Sequence, residues 1–284
     1  MAVIEVENLR YRYPQQTEPA LDGISFTVEP GEFIGIIGPN RAGKSTLCQA
    51  LVGLVPHFYQ GSIGGRVVVA GLDVHRHPVS EVCRRVGLVF QSPFTQMSGA
   101  KFTVYDEVAF GLEHQGVPRD EMIRRIDHVL HLLGLWEVRD RNPFALSGGQ
   151  MQRLAVASVL ALQPQVLVLD EPTSQLDPAG TSEVFTAVTD LCRQGMTVVM
   201  AEHKVERLAE RADRILVLHR GKCIAYGPPR EVFSREDLPG LGVAIPPVTE
   251  ACRRLGWRLP DGTYPVTVEE AVKIGGAARG GNPG

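Results

Sequence analysis

Gly38-Pro39-Asn40-Arg41-Ala42-Gly43-Lys44-Ser45-Thr46 is the stretch on which the fold turns. Its spacing is G-x-x-x-x-G-K-[ST]. The apolar run Phe33 to Ile37 leads into it, and a helical stretch from Lys44 to about Gly53 leads out. A strand, a glycine-rich turn and a helix in that order gather backbone N–H groups at the positive end of a helix. Both features favour a bound anion. In such a loop the lysine reaches β- and γ-phosphates and the following hydroxyl ligates Mg²⁺.

Two further stretches lie downstream. Val166-Leu167-Val168-Leu169-Asp170-Glu171-Pro172 is an apolar run ending in two carboxylates, the pattern of a buried strand that delivers acids to its C-terminal edge. Between it and the loop stands Leu146-Ser147-Gly148-Gly149-Gln150. In this order the three stretches resemble the ATP-binding subunits of ABC (ATP-binding cassette) transporters, over roughly Val3 to Phe233. The resemblance implies an α/β P-loop NTPase with a RecA-like parallel sheet core, an N-terminal antiparallel β-subdomain, an inserted α-helical subdomain and a short C-terminal extension. It also implies ATP and Mg²⁺ as ligands.

Composition agrees with a cytosolic globular chain of 284 residues, 44% hydrophobic and 21% charged. A net charge of −3 gives no basic field for nucleic acid. No apolar run approaches a membrane span, and no N-terminal segment reads as a signal peptide. The five cysteines (Cys48, Cys83, Cys192, Cys223, Cys252) form no C-x-x-C pair, which points to a reducing compartment rather than a disulfide frame or zinc site.

Apolar periodicity predicts strands at Val3 to Val6, Ile24 to Val28, Phe33 to Ile37, Val67 to Ala70 and Val86 to Phe90. From Ser92 to about Asn142 the period is helical. Thr103 is the expected N-cap of Val104 to Glu113, and Pro118 opens a helix ending at Gly134, with Met122, Ile126, Val129 and Leu133 on one stripe. A helix over Met151 to Leu162 follows, stopped by Pro164. Strands at 166–170, 197–201 and 214–218 then alternate with helices at about 179–193 and 204–211, the pattern of a parallel sheet. The expected domains are 1–236, with the helical subdomain at about 92–145, and an extension at 237–284. In the extension, Val248 to Leu255 closes at Gly256, Thr267 and Glu270 form a capping box, and Gly275 to Gly284 reads as frayed.

The resemblance assigns roles residue by residue. Gly38, Asn40, Arg41, Ala42, Gly43, Lys44, Ser45 and Thr46 would bind phosphate, with Ser45 and Asp170 holding Mg²⁺. Glu171 would orient and activate the attacking water. Gln91, after the strand ending at Phe90, resembles the Q-loop glutamine that touches Mg²⁺ or the water. His203, after Thr197 to Ala201, resembles the switch histidine on the γ-phosphate. Tyr13 matches the aromatic residue that stacks on adenine, with Tyr11 as competitor. Ser174-Gln175-Leu176-Asp177 resembles the D-loop. In the family two subunits meet head to tail, so that Ser147, Gly148, Gly149 and Gln150 of one cap the γ-phosphate held by Lys44 of the other. One position departs: the family usually has glycine where this chain has Arg41. If that position needs φ > 0, a side chain costs about 1 kcal/mol or more. Simple tolerance, altered nucleotide affinity and an added phosphate contact are the readings it allows. The remaining histidines, His128 and His131 among them, read as solvated or packing residues.

Gln96 follows Gln91 in Val89-Phe90-Gln91-Ser92-Pro93-Phe94-Thr95-Gln96, and Thr103 to Leu112 comes next. With Pro246 to Leu255 and Pro265 to Glu270, these segments look like the ATPase of energy-coupling factor (ECF) transporters, which import vitamins and transition-metal ions. That branch implies a dimer, either of two copies or with a paralogous ATPase, held in part by the extension. It also implies an integral membrane coupling subunit (EcfT-like) contacted near Phe94 to Phe110, a substrate-binding S component, and a peripheral place on the cytoplasmic face of the membrane. The alternatives are the ATPase of a conventional ABC importer or exporter, a soluble ABC protein acting on DNA or ribosomes, and a non-hydrolysing regulatory module.

Overall fold

The computed structural model describes residues 1–280. Strands β1 (Ile4–Arg12) and β2 (Leu21–Val28) pair antiparallel. They bury alternate side chains, including Ile4, Val6, Leu9 and Tyr11 on the first and Ile24, Phe26 and Val28 on the second, as the two-residue period of a half-covered sheet requires. After β3 (Phe33–Ile37), α1 (Lys44–Leu51) and the short α2 (Leu54–His57), strands β4 (Ser62–Val69) and β5 (Leu72–Asp73) complete a sheet of order β2-β1-β4-β5. β4 starts at Ser62, before the expected Val67, because the strand runs on through Gly64 and Gly65, which carry no hydrophobic pattern.

The second sheet carries the site. Past the turn α3 (Val79–Val82) come β6 (Val86–Val89), α4 (Val104–His114), α5 (Arg119–Leu132) and α6 (Gly148–Leu160). Then β7 (Val166–Asp170), α7 (Pro178–Arg193), β8 (Thr197–Ala201), α8 (Val205–Arg211), β9 (Arg214–His219) and β10 (Lys222–Gly227) follow. The order is β10-β9-β3-β8-β7-β6, parallel except for the antiparallel edge strand β10. The expected parallel core, antiparallel subdomain and intervening helices are all present. β3, β7 and β8 are buried at every position. Phe33 and Ile37, Leu167 and Leu169, and Val198 and Met200 pack into the core shared with α4–α8. Ile34 and Ile36, Val166 and Val168, and Val199 and Ala201 pack into the core shared with β1, β2 and α1. Covered on both faces, these strands read as continuous apolar runs rather than alternating ones. Because they are parallel, the C-terminal ends of β3, β6, β7 and β8 open on one edge of the sheet, where ligands of such sheets bind.

Among the helices, Thr103 caps α4 by accepting from the Asp106 N–H at 3.0 Å. In α5, Ile126, Val129 and Leu130 are buried, with Leu133 just beyond. α6 begins at Gly148, three residues before the expected Met151. Ser147 Oγ accepts from Gln150 N–H at 3.2 Å and Gln150 Oε1 accepts from Ser147 N–H at 3.1 Å. That capping box, worth about 1 kcal/mol, starts the helix inside the motif.

After α9 (Pro229–Phe233) the chain forms α10 (Pro247–Leu255), closed by a left-handed Gly256, and α11 (Val268–Gly280). Thr267 and Glu270 make the expected capping box, with Glu270 N–H donating to Thr267 Oγ1 at 3.3 Å and Thr267 N–H donating to Glu270 Oε2 at 3.4 Å. The segment is anchored on α9: Tyr264 N–H donates to Ser234 Oγ at 2.8 Å, and Arg230 pairs with Glu270. Val243 and Val266 join the main core. α11 runs to Gly280, over the first part of the stretch expected to fray, and residues 281–284 lie outside the described residues.

Candidate nucleotide-binding site

The loop 38–43 leaves β3 and enters α1 at the open sheet edge. Gly38 has φ +153°, and a Cβ there would stand 2.2 Å from the Leu218 carbonyl oxygen; at Gly43, φ +106°, it would stand 2.7 Å from that of Ala20. Only glycine fits either place. The loop is pinned by Ala42 N–H donating to Pro39 O at 3.2 Å and Gly221 N–H donating to Ala42 O at 3.0 Å. Arg41, inside this frame, has φ +64°. The condition for strain is met, and the arginine is held in the left-handed region with its side chain exposed on the rim of the cleft. Asn40 is also on the rim. No side chain caps α1, so its first N–H groups face the loop unpaired by any side chain and suit an anion. Lys44, 5% exposed, folds back over the loop. Its Nζ donates to the carbonyls of Gly38 at 3.2 Å and Pro39 at 3.4 Å and lies 3.6 Å from Glu171 Oε1.

Asp170 ends β7, and its Oδ1 accepts from Ser45 Oγ–H at 3.0 Å. Burial pushes its carboxyl above the usual carboxylate range; the Ser45 hydrogen bond opposes that and the neighbouring Glu171 charge adds to it. Glu171 has φ +50°, a left-handed conformation uncommon for a residue with a side chain and frequent at functional sites. Its N–H donates to Ala201 O at 2.9 Å. Its Oε2 accepts from Gln91 Nε2 at 2.7 Å, and its Oε1 lies 2.8 Å from His203 Nε2. A carboxylate that only accepts requires the hydrogen on Nε2. The 3.5 Å approach of Lys44 Nζ to the same nitrogen is then a contact, not a bond. Gln91, Glu171, His203 and Lys44 thus converge from four parts of the sequence on one point.

Sequence reasoning missed the support behind them. Glu202, 2% exposed, accepts from the His203 N–H at 2.9 Å and from Thr173 Oγ1 at 2.6 Å. Lys204 Nζ donates to Thr173 O at 3.1 Å and Thr181 Oγ1 at 2.6 Å. The available signal was a carboxylate placed directly between an apolar strand and the candidate histidine.

Tyr13 and Tyr11 separate cleanly. Tyr11 is 1% exposed, its hydroxyl donates to Gln60 O at 2.5 Å, and burial pushes its pKa up to about 12; it is a core residue. Tyr13 is half-buried on the cleft, with its hydroxyl donating to Gln49 Oε1 at 3.0 Å and 3.2 Å from Thr46 Oγ1. The cleft has a volume of about 1010 Å³ and is lined by Tyr13, Arg41, Lys44, Ser45, Gln91 and Glu171 among others. Ser45 Oγ and Asp170 Oδ1 are hard oxygen donors at its floor, the type Mg²⁺ takes. Among the described residues no cluster of three or more His, Cys, Asp or Glu side chains could hold a metal, so a cation here would draw on Ser45 and Asp170 and on its ligand's own oxygens.

Ser147, Gly148, Gly149, Gln150 and Asp177 do not line this cleft. The two glycines instead lie against Gln175 and Leu176: a Cβ on Gly149 would stand 3.2 Å from the Leu176 side chain, and one on Gly148 3.4 Å from Gln175 Oε1. Asp177 caps α7, accepting from Gly180 N–H at 2.7 Å. Of the remaining histidines, His131 donates Nδ1–H to Asp127 O at 2.7 Å and stacks on Trp136 at 4.2 Å.

A family profile described as "ABC transporter" matches residues 21–174. The chain belongs to the ABC transporter family. The energy-coupling factor transporter ATP-binding protein EcfA1 of Lacticaseibacillus paracasei is 44% identical over 86% of this chain and 86% of its own length. The solved structure of cbiO1 from Clostridium perfringens, described as part of the ABC transporter complex cbiONQ, has a TM-score of 0.73 at 33% identity, covering 92% of this chain and 96% of that one. An ATP-binding cassette solved as a dimer after hydrolysis, bound to ADP and Pi, has a TM-score of 0.70 at 25% identity, covering 80% of this chain and 99% of that one. A Pyrococcus horikoshii relative, 48% identical over 87% of both chains, carries no name more specific than ABC transporter ATP-binding protein. Other relatives are longer, and the chain spans 48% of one from Streptomyces avermitilis. As an ABC ATPase this chain is an ATP-hydrolysing enzyme, and ATP is its substrate. No described helix is long and apolar enough to cross a membrane.

Proposed function

We propose that this ABC ATPase powers import of a small nutrient, a vitamin or transition-metal ion, through an ECF-type membrane transporter. The observation that carries the chemistry is the convergence of Gln91, His203 and Lys44 on Glu171, beside the Ser45–Asp170 pair. In the proposed cycle the triphosphate lies along the loop 38–46, with adenine against Tyr13. Lys44 leaves Glu171 and the loop carbonyls for the β- and γ-phosphates. Ser45 and Asp170, with Gln91, would hold Mg²⁺, which when bound offsets charge on the phosphate oxygens. Glu171, positioned by Gln91, orients a water and takes its proton; His203 turns its Nε2–H from Glu171 to the γ-phosphate. The water oxygen bonds to the γ-phosphorus, the bond to the bridging oxygen breaks, and ADP and phosphate leave. Placement in a water-poor site, rather than a large pKa change, makes such a carboxylate effective.

The cleft lacks Ser147 to Gln150 and Asp177, and the exposed, capped N-terminus of α6 is suited to close over a γ-phosphate held by another chain. Because this chain carries both halves, a second copy suffices to complete two sites. Pairing with a paralogous ATPase is the second reading, favoured by the strained Arg41, since a heterodimer tolerates one imperfect loop. The ECF assignment is supported by the EcfA1 and cbiO1 likenesses and by the α10–α11 extension. An EcfT-like coupling subunit would dock near Phe94, 63% exposed and edge-on to Phe144 at 5.4 Å, bringing the chain to the cytoplasmic face of the membrane.

The test is affinity purification of the tagged chain from its own membranes in mild detergent, with partners identified by mass spectrometry. A coupling subunit together with a small integral substrate-binding protein supports the ECF reading. Two conventional transporter membrane domains, or no membrane partner, refute it in favour of another ABC branch.

A further inference from the structure

Gln96 has no part in the hydrolytic cluster, yet its side chain bridges the end of β6 and α6. Its Oε1 accepts from the Phe90 N–H at 3.2 Å, and its Nε2 donates to the Ala155 carbonyl at 3.2 Å. Phe90 directly follows β6 and directly precedes Gln91. Ala155 lies in α6, eight residues after Ser147, so about 12 Å along the axis from the signature end. The same loop is tied to α4, where Ser98 N–H and Oγ–H donate to the buried Glu107 carboxylate at 2.6 and 2.8 Å. Within this loop only Gln91 reaches back to the nucleotide cleft, through its bond to Glu171. Gln96 therefore closes a chain of contacts: Glu171, Gln91, the adjoining Phe90 amide, Gln96, and then α6 with Ser147 at its tip.

We propose that Gln96 is a positioning residue that ties the Gln91 loop to the signature helix, so that a displacement at Glu171 on nucleotide binding is delivered to Ser147, and a displacement of α6 is delivered to Glu171. The geometry gives the side chain two distinguishable functions. The acceptor holds the backbone next to Gln91, and the donor holds α6. Methionine at this place keeps the length and removes both bonds. Glutamate keeps an acceptor for Phe90 but has no donor for Ala155. Gln96 is half-buried at the end of a short 3-10 turn, Pro93–Gln96, so neither substitution opens a core cavity.

The inference rests on the roles proposed above for Gln91 and Glu171, and a separate variant keeps the two apart: Glu171→Gln with Gln96 intact should lose hydrolysis, and retained hydrolysis there sinks that reading whatever Gln96 does. For Gln96 itself, the full-length chain and its Gln96→Met and Gln96→Glu variants are compared in two ways. In steady-state ATP hydrolysis both variants should lose turnover about tenfold, the scale of one to two neutral hydrogen bonds, with KM changed less than about twofold. In amide hydrogen exchange, a non-hydrolysable ATP analogue should slow residues 38–46 equally in all three proteins but should slow residues 147–155 fully only in the parent. Undiminished slowing of 147–155 in the variants, unchanged turnover, or a loss of analogue affinity large enough to explain the lost turnover overturns the proposal.

Discussion

Arg41→Gly should stabilise the protein. Arg41 sits at φ +64° in a loop whose neighbours are fixed by the Leu218 and Ala20 carbonyls. A left-handed conformation costs an L-residue about 1–2 kcal/mol. Glycine removes that cost but returns about 0.5–1 kcal/mol through its freer unfolded chain. The balance is a gain of about 0.5–1 kcal/mol. For a chain of this size that raises Tm by about 1–3 °C. The assay is thermal unfolding of the nucleotide-free protein, with Arg41→Ala as the comparison that removes the charge and keeps the strain, and so leaves Tm near the parent value. The exposed guanidinium makes no ion pair among the described residues, and an exposed charge contact to phosphate is worth at most about 1 kcal/mol, so KM for ATP should change by less than about fivefold. A lower Tm for Arg41→Gly than for Arg41→Ala would contradict this, because position 41 would then not be strained by a side chain.

Two more expectations concern the cleft. Burial raises the Asp170 carboxyl, so the folded protein binds the proton more tightly than the unfolded chain does, and stability falls as pH rises from the unfolded carboxylate value through the raised one. Asp170→Asn, which keeps an acceptor for Ser45, should therefore be the more stable protein at neutral pH without nucleotide, with the difference closing in acid; Tm against pH checks this, and a lower neutral Tm contradicts it. Tyr13→Ala should raise KM for ATP by about two- to tenfold with little change in kcat, whereas Tyr13→Phe, which keeps the ring and loses only the bonds to Thr46 and Gln49, should stay near the parent.

Much of the fold could be read because its core strands are buried on both faces. Phe33–Ile37, Val166–Asp170 and Thr197–Ala201 appear as unbroken apolar runs, and their bounds match the expectation. β10 was not expected: Lys222–Gly227 is an antiparallel edge strand with most positions half-buried, so it shows neither an apolar run nor alternation. α6 starts three residues before the expected Met151, and the deciding signal, serine followed three residues later by glutamine, was already in the sequence. At the site, Asp170, Glu171, Gln91 and His203 could be placed individually, because each stands at or just past the end of a strand of the parallel sheet. Their mutual contacts could not. That Gln91 and His203 both reach Glu171, and that Glu202 holds the His203 backbone, depends on the order β3-β8-β7-β6, which no local pattern encodes. Tyr13 was separable from Tyr11 only once tertiary packing buried one ring in the core and left the other on the cleft.

Ser147 does not line the cleft that holds Lys44, and the proposed site takes the two residues from different chains. Mixing two inactive variants checks this. Lys44→Ala removes the phosphate lysine, and Ser147→Arg blocks the signature; each alone should fail to hydrolyse ATP. When both are co-expressed and purified together, a mixed dimer contains one site with an intact Lys44 from one chain and an intact Ser147 from the other. The account predicts that ATP hydrolysis returns in the mixture and in neither parent. A mixed dimer that forms and remains inactive would contradict it, as would a Ser147→Arg protein that hydrolyses ATP unaided.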